Sequence, residues 1–277
     1  MIYSEEKIKV NNHSASLLSY VPSEAPKLGY KGKRPAILIL PGGGYNITYE
    51  GEAEPIALKF CAEGICSFVL HYATKPSGEI FPTALCEALI AISKIRENAE
   101  KYGIDKNNIS VLGFSAGGHL CASCGTMFND TCLEEYLGKS REIYKANKMI
   151  LCYPVITADE NYAHKGSFGN LTGKNYSELT EEEKEMLSCE KRVTESTPPA
   201  MIWTTAEDSC VSPQNSLLMA KALADKKVPF ELYIYPHGDH GLCSADHTTL
   251  EIQYKSTLEC SEWTSKAVRF IYDEKIK

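Results

Sequence analysis

Short, wholly apolar runs alternate along this chain with segments whose apolar positions recur every three or four residues. Ala36–Leu40 reads AILIL and is closed by Pro41 and three glycines. A strand that is apolar at every position fits a sheet covered on both faces, as parallel sheets are. Ile65–Tyr72, Ile109–Leu112, Met149–Tyr153, Ala200–Thr204 and Phe230–Tyr235 read as further strands of that sheet. Helical spacing occupies Pro55–Glu63, then a stretch opened by Pro82 with Leu85, Leu89, Ile92 and Ile95 at its apolar positions. It returns in HLCASCGTMF, in NSLLMAKALADKK and around Leu258–Ile271. Lys7–Tyr20 holds two short segments that pair as an antiparallel lead-in, followed by the turn-rich stretch VPSEAPKLGYKGKRP. The alternation predicts an α/β fold with a mostly parallel, doubly wound sheet, as one domain over residues 1–277. One region breaks the rhythm. Between Ile156 and Pro198 no strand is evident and LTEEEKEML is acidic and helix-prone. An insertion at about 157–198 therefore reads either as a small cap or lid or as a surface excursion.

A chain of 277 residues is long enough to bury the core this pattern requires. The net charge of -7, without a dominant basic patch, gives no footing for nucleic acid or an anionic membrane. The first residues lack the basic start and apolar core of a secretory signal, and no run approaches the ~18–20 apolar residues of a membrane span. The expectation is a cytoplasmic protein. Its 11 cysteines then read as reduced, mostly buried thiols. Cys121 and Cys124 form a C-x-x-C pair with no second pair at zinc spacing, so helix packing is the simpler reading.

The chemistry centres on Gly113-Phe114-Ser115-Ala116-Gly117, a G-x-S-x-G sequence between the strand ISVLG and a helix-compatible segment. Glycines flank the serine because the strand must turn abruptly into a helix there, which pushes the serine out toward substrate. A nucleophilic serine generates a tetrahedral oxyanion, and that oxyanion needs unobstructed backbone N–H donors. Pro41-Gly42-Gly43-Gly44-Tyr45 can supply them at a strand end, with the Ala116 amide as a further donor. No phosphate-loop pattern competes for the glycine run.

Ser115 also needs a histidine base and a carboxylate to orient it, both later in the chain for this fold. The strand AMIWTT ends in Ala206-Glu207-Asp208, where either acid qualifies by position. Asp208 is favoured because Ser209–Pro213 reads as a loop leading into the next helix. The strand FELYIY leads to Pro236-His237-Gly238-Asp239-His240-Gly241, where two histidines compete. His240 is favoured because its loop can swing back to the serine. His247 reads as a surface residue, and His71 precedes the serine, so chain order excludes it from the triad.

Together PGGGY, GFSAGGHL, AEDSCVSP and HGDHGL resemble the bacterial acetyl xylan esterase/feruloyl esterase-type enzymes among the hormone-sensitive-lipase-like α/β-hydrolases. The resemblance runs from about Ala36 to His240. It implies the α/β-hydrolase fold, with Ser115 as nucleophile, Asp208 as acid and His240 as base. It implies oxyanion donors from Gly43, Gly44 and Ala116, and no metal or organic cofactor. It also implies substrate contacts from Tyr45 and from Phe168 in the cap segment HKGSFGNLTG. Pro41 departs from the family, where many members have His before the glycines. The implied activity is hydrolysis of short acyl esters, acetyl foremost, of plant-derived sugars or xylo-oligosaccharides. An arylformamidase or small peptidase could use the same triad. A hydrolase-fold binding protein is the rival from another class, although such proteins typically lose a triad residue. The only partner implied is the small-molecule ester, and the sequence does not decide between a monomer and a homo-oligomer.

Overall fold

The computed structural model describes residues 1–23, 32–77, 80–137, 141–249 and 259–276. Among the described residues, eight strands form one sheet in the order β1-β2-β4-β3-β5-β6-β7-β8. They are β1 Ile2–Val10, β2 His13–Val21, β3 Arg34–Leu40, β4 Cys66–His71, β5 Ile104–Phe114, β6 Lys148–Cys152, β7 Ala200–Thr205 and β8 Phe230–Tyr235. β1 and β2 pair antiparallel, β2 runs antiparallel to β4, and every pairing from β4 to β8 is parallel. The expected lead-in pair is therefore present, longer than the apolar pattern implied. Most of VPSEAPKLGYKGKRP, and Leu258, lie outside the described residues.

Apolar runs are read twice by this sheet, once on each face. In β3, Ala36, Leu38 and Leu40 join one core while Ile37 and Ile39 join the other. Met149 and Leu151 of β6 point opposite to Ile150 and Cys152. Helices α2 (Thr83–Glu97), α4 (Ser115–Met127) and α7 (Gln214–Asp225) bury side chains in the first core. α1 (Glu54–Ala62) and α8 (Trp263–Tyr272) bury theirs in the second. A four-residue helix, α3 (Ala99–Tyr102), links α2 to β5. This is the doubly wound, mostly parallel arrangement that the pattern predicted, and it agrees with the α/β-hydrolase fold that the resemblance implies.

A buried lysine ties the second layer to the sheet. Lys148 at the start of β6 donates its ammonium to the carbonyls of Phe270, Ile271 and Asp273, at 2.7, 3.0 and 2.9 Å. The charge thereby satisfies carbonyls that the end of α8 leaves without helical partners.

Between β6 and β7 the chain forms α5 (Lys165–Thr172) and α6 (Glu181–Leu187). α6 is the acidic segment, opened by Thr180 and Glu183 in a reciprocal capping box. The segment is no loose excursion. Phe168, Leu171, Leu179, Leu187, Cys189 and Val193 are buried in the first core.

Because β3, β5, β7 and β8 run parallel, their C-terminal ends open on one edge of the sheet. β4 follows β3 to one side and β5 lies on the other, so the connectivity reverses beside β3. Crevices at such reversals are where open α/β sheets bind ligands. A cavity of about 650 Å³ opens at the opposite edge among residues such as Arg96, Asn147, Pro199 and Pro229. It holds none of the nucleophile or base candidates.

Candidate active site

At the reversal, β5 delivers Ser115 directly into α4. The serine backbone sits at φ 52°, in the left-handed region that non-glycine residues rarely occupy. The steric need for the flanking glycines is explicit. A Cβ on Gly113 would lie 2.0 Å from the Gly117 carbonyl oxygen, and one on Gly117 would lie 2.1 Å from that of Leu40. Only glycine lets the elbow press this closely on β3.

Ser115 Oγ lies 2.8 Å from His240 Nε2, and His240 Nδ1 lies 2.7 Å from Asp208 Oδ2. The other oxygen of Asp208 accepts the backbone N–H groups of Cys210 and Val211, at 3.0 and 2.8 Å. These bonds fix the carboxylate in the turn after β7. Asp239, which the sequence reading did not single out, accepts the His240 N–H at 2.8 Å and the Ser209 N–H at 3.0 Å. It thus ties the histidine loop to the acid loop. The rival pair is turned away from the serine. Glu207 and His237 are exposed and bond to each other, His237 Nδ1 lying 3.1 Å from Glu207 Oε1. His71 takes its local option, with Nδ1 2.7 Å from Thr48 Oγ1. His247 is exposed.

The glycine loop turns at Gly43 (φ 120°) and Gly44 (φ 64°). A Cβ on Gly43 would meet the Ile47 carbonyl oxygen at 2.4 Å. The Gly44 carbonyl accepts the side-chain amide of Asn170 from α5 at 2.8 Å. The Ala116 amide lies in the first turn of α4, where N–H groups have no helical acceptor.

Tyr45 and Phe168, expected to touch substrate, do not reach the surface. Each is 1% exposed. Both rings instead meet His119, one turn after Ser115, at centroid distances of 5.9 and 5.3 Å. They buttress the site from beneath because the glycine loop and α5 each turn their aromatic residue inward. His119 was not among the expected site residues, although it stands in GFSAGGHL. Its Nδ1 accepts the Tyr45 hydroxyl at 2.9 Å and its Nε2 donates to the Leu187 carbonyl at 2.8 Å. The neutral ring is fully satisfied, and burial pushes its pKa down to about 4. An unfolded histidine titrates near 6.5. As pH falls from there toward 4 the unfolded chain binds the proton first, and stability drops by about 3 kcal/mol; above pH 6.5 the penalty vanishes. Denaturant titrations at pH 7 and pH 4.5 are expected to show a larger loss in the wild type than in His119→Gln.

All 11 cysteines are free, and Cys121 and Cys124 are buried in α4 as packing residues. His164, at the head of α5, is half-buried on the rim, with Nδ1 2.8 Å from Ser167 Oγ and Nε2 3.6 Å from Cys210 Sγ. Burial, and then the neighbouring His240, lower its pKa.

Residues 23–223 match the model of the BD-FAE family. The chain belongs to the BD-FAE family. Among curated proteins, this BD-FAE chain is 41% identical to endo-1,4-beta-xylanase B of Butyrivibrio fibrisolvens, over 77% of the chain and 33% of that protein. It is 31% identical to an acetylxylan esterase of Xylanibacter ruminicola, over 74% of the chain and 40% of that protein. It therefore spans well under half the length of both relatives. An acetyl ester-xyloside bifunctional hydrolase from Caldicellulosiruptor lactoaceticus superposes with a TM-score of 0.80 at 35% identity, covering 96% of this chain and 90% of the other. A carboxylesterase from Lactobacillus plantarum, at 24% identity, shares the fold with a TM-score of 0.85, over 100% of this chain and 98% of its own. The resemblance to acetyl xylan esterase-like α/β-hydrolases is borne out. Among the described residues of the BD-FAE chain, no helix is long and apolar enough to cross a membrane.

Proposed function

We propose that the chain is a serine carboxylesterase that removes short acyl groups, acetyl foremost, from plant-derived sugars or xylo-oligosaccharides. The observation that carries the proposal is the continuous line of hydrogen bonds from Asp208 through His240 to Ser115, 2.7 and 2.8 Å. In this reading Nε2 of His240 takes the hydroxyl proton as Ser115 attacks the acyl carbon. Asp208 holds the ring with Nδ1–H toward itself and stabilises the imidazolium. The acyl oxygen, becoming an anion, rests against the amides of Gly43, Gly44 and Ala116. His240 then protonates the departing alcohol, and water repeats the cycle on the acyl-enzyme. Support for acetylated xylan as the substrate class comes from the names of the xylanase, acetylxylan esterase and xyloside-hydrolase relatives.

The test is a panel of p-nitrophenyl esters of increasing acyl length, acetylated xylo-oligosaccharides and an aryl formamide. The highest kcat/KM is expected with acetyl groups. A best rate with long acyl chains or with the formamide overturns the substrate reading. A fluorophosphonate is expected to label Ser115, and absence of labelling would favour the non-catalytic rival.

A further inference from the structure

Glu52 sits between the glycine loop and α1 and is 2% exposed. Its Oε2 accepts the Gly42 N–H at 2.7 Å, and its Oε1 accepts the Tyr153 hydroxyl at 2.7 Å. That hydroxyl in turn accepts the N–H of Cys243, three residues beyond His240, at 2.9 Å. The Tyr153 ring stands edge-on to the His240 imidazole, their centroids 5.0 Å apart. One buried carboxylate therefore reaches both halves of the site. Through Gly42 it holds the loop that carries Gly43 and Gly44. Through Tyr153 it holds the loop and the ring face of His240.

Burial raises the Glu52 pKa, while its two hydrogen bonds and the charge of His240 act the other way. The bonding pattern matters more for its role. Both oxygens accept, and a protonated carboxyl would have to donate from one of them. The Gly42 amide can only donate, and the Tyr153 hydroxyl, which receives the Cys243 N–H, directs its own proton to Oε1. The arrangement suits an anion held ready beside the histidine that becomes a cation when it takes the serine proton.

We infer that Glu52 is a positioning residue for ester hydrolysis, setting the oxyanion loop and the His240 loop against each other through Gly42 and Tyr153. The inference rests on the reading of Ser115, His240 and Asp208 given above. Glu52 touches no reacting atom. A residue of this kind is felt in the rate, because a displacement of about 1 Å in a reacting group can cost about a hundredfold.

Two variants test it. Glu52→Gln keeps volume and one oxygen but removes the charge. Tyr153→Phe keeps the ring against His240 and removes only the hydroxyl. Active sites are counted by end-point titration with a fluorophosphonate, and kcat with p-nitrophenyl acetate is expressed per titrated site, so that misfolded protein drops out. Both variants are expected to lose roughly 10- to 100-fold in kcat per site, with KM changed by less than about threefold. A kcat per site within twofold of wild type in either variant overturns the inference, as does a change carried wholly by KM. Should Glu52→Gln fail to fold, Tyr153→Phe decides alone. Ser115→Ala is assayed in parallel. Activity surviving there sinks the esterase reading itself, whereas an inactive Ser115→Ala beside a fully active Glu52→Gln sinks only the role of Glu52.

Discussion

Replacing Ser115 with Ala is expected to lower kcat for p-nitrophenyl acetate by roughly 10⁵- to 10⁶-fold, with the thermal midpoint almost unchanged. The two expectations come from different atoms. Oγ is the only atom removed, and its partner in the structure is His240 Nε2. The Cβ that must be accommodated at φ 52° remains, so the elbow bears the same strain as before. Residual turnover would come from the oxyanion donors and from substrate binding. Steady-state assay of protein expressed free of other esterases measures this. More than about one per cent of wild-type activity would remove Ser115 from the mechanism.

Asp208→Asn is expected to cost about 10⁴-fold in kcat, and the surrounding bonds say why. Oδ1 of Asp208 accepts the N–H groups of Cys210 and Val211. An asparagine keeps its oxygen there, since its amide nitrogen cannot accept those bonds. The amide nitrogen is then left facing His240 Nδ1, which must accept instead of donate. The ring adopts the other tautomer, with Nε2 protonated and unable to take the serine proton. Glu207→Gln supplies the control, because Glu207 is exposed and faces His237. It is expected to stay within about twofold of wild type. A larger loss from Glu207→Gln than from Asp208→Asn would reverse the assignment of the acid.

Strands β3, β6 and β7 were legible because their inner residues, Ala36–Leu40, Met149–Cys152 and Ala200–Trp203, are apolar and buried on both faces. β5 was read short. Its first residues, Ile104–Asn108, spell IDKNN; Ile104 pairs with Arg34, the register with β3 is irregular until Ile109, and the Asn107 N–H turns back to Asp105 Oδ1, so this polar stretch carries no strand pattern. Ser115 was legible because its glycines answer a steric demand that shows in sequence. Asp208 and His240 were narrowed to two acids and two histidines by chain order, since a loop's course is not written in composition. Glu52 was invisible for the opposite reason. YEGEAEP looks like a solvated acidic turn, and nothing local signals that one of its carboxylates is buried between the Gly42 amide and the hydroxyl of Tyr153, a residue far along the chain. Tyr45 and Phe168 were misread because an aromatic beside a glycine loop, or in a cap, suggests a substrate wall. Which side of the backbone it faces depends on His119, a tertiary neighbour.

The bond from Asn170 to the Gly44 carbonyl bears on how this protein can be remodelled. Surface segments between strands usually tolerate exchange. Here the helix that overhangs the crevice also tethers the loop below it. A chimera that grafts a foreign segment in place of residues 165–172 is therefore expected to change selectivity and turnover together. Diversifying only the exposed positions Lys165 and Gly166 leaves the tether intact and lets the two properties be varied apart.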